Sequence, residues 1–255
     1  MIKDCGQAWV ERTLHETPGQ FQKLTDTDLW FLRSCYRTPE SYYKERIKAV
    51  GFYDLERVLD AGCGFGQWSL GLAAQNNRVF AVDIDPVRVW WAARLAQARG
   101  LSEKIAFSAA DLCHLPFPPA YLDAVFCYGV MMFRDENQVL AEFSRVLKPG
   151  GKLYATSTGM GNYLNFILRR ALAERKLFYL KNGLKNICNT WLGHKDKVHY
   201  VSERQVRRAA DRAGLAISHF QAEGTINFGS SQVKPIYQGR YFGALGVFDM
   251  LAVKK

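Results

Sequence analysis

The chain has no Cys-x-x-Cys spacing, although it carries six cysteines, at positions 5, 35, 63, 113, 127 and 188. That absence argues against a zinc site and a dithiol redox pair, so reduced thiols and no metal centre are expected. No run approaches the roughly eighteen apolar residues that a membrane-spanning helix requires. The start, Met1 to Gln7, is polar and lacks the apolar core of a signal peptide, which makes a cytoplasmic location the expectation. Internal repeats, low-complexity tracts and Gly/Ser linkers are missing as well. With 255 residues and 48% hydrophobic content, the expectation is one large domain, or a domain with an insertion, around a substantial core. Acids are in short supply, 24 against 34 Lys and Arg, for a net charge of +10. Anionic ligands or partners are favoured by that balance.

What is present centres on Arg57 to Gly66 (RVLDAGCGFG), where a short apolar run meets a turn with glycine at every second position. Val58 and Leu59 read as the end of a buried parallel strand, and Gln67 to Ala74 as the following helix. A tight turn with a capping Asp would account for the same residues. A dinucleotide enzyme would place its third glycine where Gln67 stands. With Asp60 two residues before the first glycine, the segment resembles motif I of the class I S-adenosylmethionine-dependent methyltransferases. The resemblance implies that Gly62, Cys63, Gly64 and Gly66 face the methionine part of the cofactor, and that Asp60 helps fix the loop and the ammonium. It also implies an α/β fold: a Rossmann-like, seven-stranded, mostly parallel sheet whose last strand is antiparallel, with helices on both faces and an insertion lid after strand five.

Further acids fall at matching distances. Arg78 to Asp83 reads as a second buried strand, whose terminal Asp83 can accept two ribose hydroxyls, with Ile84 beside it as a further cofactor contact. Asp85 and Pro86 suit the N-cap and first turn of the next helix. Ile105 to Asp111 reads as a third strand, and the resemblance assigns Asp111 to the adenine amino group and Leu112 to the base face. Cys127 and Tyr128, where strand four ends, complete the expected cofactor set. Leu115-Pro-Phe, Asp123, and Arg145 to Gly151 (RVLKPGG) look like the small-molecule, quinone-biosynthesis-like branch of the family (methyltransferase type 11). The combined match covers roughly residues 55 to 157.

Four segments follow: a helical cap over 1–54, a cofactor-binding core over 55–158, an insertion over 159–201 placed as a lid, and the rest of the same domain over 202–255. Tyr42, Tyr43 or Arg46 of the cap are candidates for the cofactor carboxylate. From Met160 to Arg212 there are twelve Lys or Arg against four acids, so most of the net charge lies on the acceptor side. Leu164, Ile167, Leu168, Ala171 and Leu172 recur at helical spacing opposite Asn165, Arg169, Arg170 and Glu174. Such a helix packs as an ordinary lid element or rests on an anionic membrane surface as a peripheral contact, and Lys181 to Gly183 is expected to end it. Leu215 to Phe220 and Val247 to Val253 are expected as strands six and seven.

The sulfonium methyl of the implied cofactor is already electrophilic, so a side-chain base is needed only for an acceptor that must lose a proton. His199 and His194, both in the lid, are the candidate bases for an O-methylation; His15, His114 and His219 are less well placed. Strand four ends in Cys-Tyr-Gly-Val, not the Asn/Asp-Pro-Pro-Tyr/Phe cluster that grips nucleic-acid bases, and no Pro-Cys pair marks pyrimidine carbon methylation. A small, anionic or lipid- or nucleotide-linked acceptor is therefore favoured over nucleic acid. The alternatives are an RNA methyltransferase, a cofactor-binding interaction protein without turnover, and, more weakly, a dinucleotide dehydrogenase.

Overall fold

The computed structural model describes residues 5–170, 177–194, 197–226 and 235–255. Four helices precede the sheet: α1 (Cys5–Glu16), α2 (Pro18–Phe21), α3 (Asp26–Arg37) and α4 (Glu40–Ala49). Strands β1 (Arg57–Ala61), β2 (Arg78–Asp83), β3 (Ile105–Ala109) and β4 (Leu122–Cys127) alternate with α5 (Gln67–Ala73) and α6 (Pro86–Ala98). Then come α7 (Glu136–Val146) and β5 (Leu147–Thr158). β1, β2 and β4 are buried along nearly their whole length, as parallel strands covered on both faces must be, which is why they read as continuous apolar runs.

After β5 come α8 (Met160–Leu164), a π-helical turn at Asn165–Arg170, α9 (Leu177–Trp191) and α10 (Glu203–Arg212). β6 (Leu215–Ala222), the two-residue strands β7 (Arg240–Tyr241) and β8 (Ala244–Leu245), and β9 (Val247–Lys254) complete the chain. The main sheet has seven strands in the order β3-β2-β1-β4-β5-β9-β6, the first five parallel and β9 antiparallel to both neighbours. This is the expected Rossmann-like arrangement.

Local chemistry sets the boundaries. Asp85 caps α6 by accepting the Val87 amide at 2.8 Å, and Pro86 occupies the first turn, where its missing N–H costs nothing. Ser202 and Gln205 form a reciprocal capping box at the start of α10. One core cluster joins one sheet face to α7 and α10, and a second joins the other face to α4 and α5. A third, built from Val10, Leu14, Leu32, Phe65 and Trp91, fastens α1 and α3 to the glycine turn and α6.

Two expectations are corrected in detail. The third strand stops at Ala109, leaving Asp111 in the loop beyond it. Lys181 to Gly183 end no helix: α9 runs through them to Trp191. A Cβ on Gly183 would lie 2.5 Å from Ile167 Cγ1, so this glycine serves close approach of the π-helical turn rather than termination. Ala171, Leu172 and Glu174 of the expected amphipathic helix lie outside the described residues. Among the described residues no helix is long and apolar enough to cross a membrane.

Candidate active site

The carboxyl ends of β1 to β4 converge on one edge of the sheet, where α/β proteins bind ligands. Gly62, Gly64 and Gly66 all have positive φ, at 80°, 53° and 83°. A Cβ on Gly62 would meet Val130 Cγ2 at 2.5 Å, and one on Gly66 would meet Ala92 Cβ at 2.9 Å. Glycine is thus demanded by both conformation and space, because Val130 and Ala92 pack directly on the Gly62 and Gly66 backbone. The Gly62 and Cys63 amides both donate to the Val82 carbonyl at 2.8 Å, which locks the turn onto the end of β2.

Asp83 sits at that junction. Its Oδ2 accepts the Gly64 amide at 2.9 Å and its Oδ1 the Asp85 amide at 3.0 Å. One amide per oxygen fixes the carboxylate and leaves a lone pair on each for a pair of vicinal hydroxyls. Ile84, next along, is 55% exposed, an apolar platform beside a polar anchor. Asp111 accepts the Cys113 amide at 3.1 Å and pairs with Arg134 at 3.2 Å. Burial opposes ionisation there, but that amide and the guanidinium hold its carboxyl below the usual range. Leu112 is turned into the core.

Asp60 is buried, and Ser69 Oγ donates to its Oδ2 at 2.5 Å. Burial pushes its carboxyl up to about 7, with the nearby Asp83 adding to the shift. Cys63 and Cys127 are buried thiols whose pKa values burial raises, so neither is an activated nucleophile. Tyr128 packs against Trp68, with ring centroids 4.6 Å apart, and donates its hydroxyl proton to Glu223.

The two histidines part company. His194 lies in the turn after α9, its amide donating to the Asn189 carbonyl. His199 is 1% exposed, and its amide donates to the Met132 carbonyl, in the short 3-10 turn that follows β4. Its Nδ1 lies 2.8 Å from the Lys197 carbonyl, which can only accept, so Nδ1 carries the proton. Nε2 faces Glu136 Oε2 at 3.7 Å and makes no hydrogen bond among the described residues. Val130, which covers Gly62, thus stands directly before the turn that His199 grips, two residues from Met132.

The sequence reading did not single out Glu136, Arg134, Tyr154, Glu223 or Asp249. Glu136 and Arg134 flank the start of α7 with nothing local to mark them; their proximity to His199 and Asp111 is a product of the fold. Arg46 is not displayed at a ligand-facing surface. It is 2% exposed, with Nη2 3.1 Å from Tyr154 Oη and 3.2 Å from both Asp249 Oδ1 and Glu223 Oε1. Tyr43 donates to the Cys35 carbonyl at 2.9 Å within the core.

A glycine cradle, a doubly anchored Asp83, an exposed Ile84 and the acid at position 111 suit an adenosyl group carrying an amino acid. A family model described as a methyltransferase domain matches residues 58–151. The demethylmenaquinone methyltransferase of Thermobifida fusca is 30% identical over 216 residues, 82% of this chain and 86% of that protein. Methyltransferase GfsG of Streptomyces halstedii is 32% identical over 119 residues, 46% of this chain; the match spans only 41% of that protein, less than half its length. Among solved structures, geranyl diphosphate C-methyltransferase from Streptomyces coelicolor, in complex with S-adenosyl-L-homocysteine, aligns with a TM-score of 0.62 at 16% identity. That alignment covers 85% of this chain and 79% of the other, a likeness of fold. The chain belongs to the class I S-adenosylmethionine-dependent methyltransferases of the small-molecule type.

Proposed function

We propose that the chain methylates a small, anionic or lipid- or nucleotide-linked acceptor, with a hydroxyl oxygen as the favoured nucleophile and His199 as the base. S-adenosylmethionine, when bound, supplies an electrophilic methyl group. Asp83 would hold the ribose, Asp60 the ammonium end, and Ile84 with Asp111 the adenine. The observation that carries O-methylation is the 2.8 Å contact of His199 Nδ1 with the Lys197 carbonyl: with Nδ1–H committed there, the basic lone pair is on Nε2, and Glu136, 3.7 Å away, can stabilise the imidazolium. The acceptor O–H proton passes to Nε2 as the O–CH3 bond forms and the sulfur–methyl bond breaks. The ring is buried against the Met132 turn, so access of an acceptor to Nε2 would require that contact to open. The named quinone precursor of the Thermobifida relative supports a ring-bearing acceptor.

Calorimetric titration tests the cofactor assignment: S-adenosylhomocysteine should bind in the micromolar range and NAD should not. Binding of NAD alone would support the dehydrogenase alternative and overturn the proposal. An acceptor screen with labelled methyl donor follows, in which a steep salt dependence with RNA as acceptor would favour the RNA reading. With an acceptor in hand, His199→Ala should lower kcat by roughly 10²–10⁴-fold with S-adenosylhomocysteine affinity unchanged. Wild-type turnover in that variant would remove His199 from the chemistry.

A further inference from the structure

The lid carries a helix that is amphipathic the wrong way round. Every exposed residue of α9 falls on one arc: Leu177, Phe178, Lys181, Leu184, Lys185, Cys188 and Trp191, with Leu192 just beyond. Positions 177, 181, 184, 188 and 191 advance by alternating steps of four and three, the spacing of a single helical stripe. A stripe of this composition ordinarily faces a core. Here Leu177, Phe178, Trp191 and Leu192 are between 67% and 80% exposed, and Leu184 is 49% exposed. Leu168 and Arg169 of the π-helical turn are exposed as well.

The orientation is enforced by the inner face. Asn189 Nδ2 donates to the Val198 carbonyl at 3.1 Å, and the Tyr200 amide donates to Thr190 Oγ1 at 3.0 Å. Gly183 admits Ile167 at a distance no side chain would allow, and Tyr179 stacks on Phe166 with centroids 6.1 Å apart. Rotating the helix to bury its leucines would break these bonds and drive side chains into Ile167. Asn189, Thr190, Gly183 and Tyr179 inside and large apolar groups outside are thus one built arrangement, and an exposed apolar patch of this kind marks an interaction surface.

We infer that α9 is a peripheral docking helix for an anionic lipid bilayer, lying in the plane of the interface with its apolar stripe among the headgroups and upper acyl chains. Charge complementarity selects that occupant. Lys181 and Lys185 sit within the stripe, and the helix, of sequence LFYLKNGLKNICNTW, contains no acid. The lysine stems can lie along apolar surface while their ammonium groups reach lipid phosphates. Trp191 stands at the end of the stripe, and tryptophan favours the membrane–water interface. A second copy of the chain fits less well: a two-fold contact sets the patch against itself, lysine facing lysine with no carboxylate on the helix to neutralise them. At 1.5 Å per residue the helix offers about 22 Å of contact. The inference concerns this surface alone and stands or falls apart from the acceptor chemistry.

Vesicle flotation of the full chain tests it, with phosphatidylcholine vesicles compared with vesicles that also contain phosphatidylglycerol. The wild type should float with the anionic vesicles, roughly tenfold tighter than with neutral ones, and added salt should weaken the attachment. Phe178→Ser with Trp191→Ser, and separately Lys181→Glu with Lys185→Glu, should each reduce anionic-vesicle binding about tenfold or more. S-adenosylhomocysteine affinity, unchanged in both, would show that the fold is intact. Failure of the wild type to float, or equal flotation of the variants, would overturn the inference. So would a result in which the serine pair abolishes self-association seen by light scattering while vesicle binding is untouched.

Discussion

Arg46→Ala is expected to lower the unfolding free energy by about 3–5 kcal/mol, the usual consequence of leaving one side of a buried ion pair uncompensated. In a chain of this size such a loss shifts the thermal midpoint by roughly 6–20 °C. Arg46 reaches from α4 to Tyr154 on β5, Asp249 on β9 and Glu223 just beyond β6. Glu223 in turn accepts the Tyr128 hydroxyl and the Tyr237 amide, and Asp249 accepts the Gly224 amide at 2.8 Å. One guanidinium therefore ties α4 to β5, to β9 and, through Glu223, to the end of β6 and the segment around residue 237. Its loss strands two carboxylates, each inside the protein.

The pH dependence separates that cause from a simple cavity. Burial holds Glu223 and Asp249 above the ordinary carboxylate range, and Arg46 pulls both back. Without Arg46 both rise further. An acid with a raised folded pKa contributes stability that is complete below its unfolded pKa and is lost as pH climbs through the folded value. The penalty of Arg46→Ala should thus be smaller near about pH 5 than near about pH 8. Thermal unfolding of both proteins across that range measures it. A pH-independent difference would assign the loss to missing packing around Arg46 rather than to unpaired charge.

What the sequence made legible divides along physical lines. The strand-to-helix corners could be read because their chemistry is local: Gly62 and Gly66 need positive φ and lack of a side chain, Asp85 and Pro86 cap the helix they precede, and β2 is an uninterrupted apolar run. Interactions that form only when distant segments meet left no local mark. Arg46 and Asp249 are 203 residues apart in sequence, and nothing near either announces the other. The segment after β5 differs in a third way. Hydrophobic spacing pointed to a helix ending near Gly183, but periodicity does not say which face is inward, and in α9 Asn189 holds the inside through its hydrogen bond to the Val198 carbonyl. Gly183 looked like a stop because glycine usually is one at a helix end, whereas here a neighbouring backbone turn required the space. His199 was found as a lone histidine, while Glu136, which gives its ring a charge partner, lies 63 positions earlier in the chain.

Asp60→Asn should stabilise the protein and impair it together. With its carboxyl pushed up to about 7 from 3.8 by burial, Asp60 favours the folded state below about pH 4, and that contribution disappears as pH rises through about 7. At pH 8 the wild type thus holds an ionised carboxylate in a buried site, which asparagine would replace with a neutral group still able to accept the Ser69 hydroxyl. We expect the ligand-free variant to be more stable by about 2–4 kcal/mol at that pH, and the gain to vanish in acid. If the same carboxylate faces the cofactor ammonium, the variant also loses a charge-assisted contact, and S-adenosylhomocysteine should bind roughly 10–100-fold more weakly. Wild-type affinity should fall as pH drops through about 7, while the variant's stays flat. Thermal unfolding without ligand and calorimetry with it, run on both proteins at several pH values, give the two answers independently. Unchanged affinity with lowered stability would make Asp60 a structural anchor for Ser69 and the glycine turn. Higher stability with weaker binding would mean that the turn tolerates a strained charge because the cofactor requires it, a trade of stability for function of the kind active sites make.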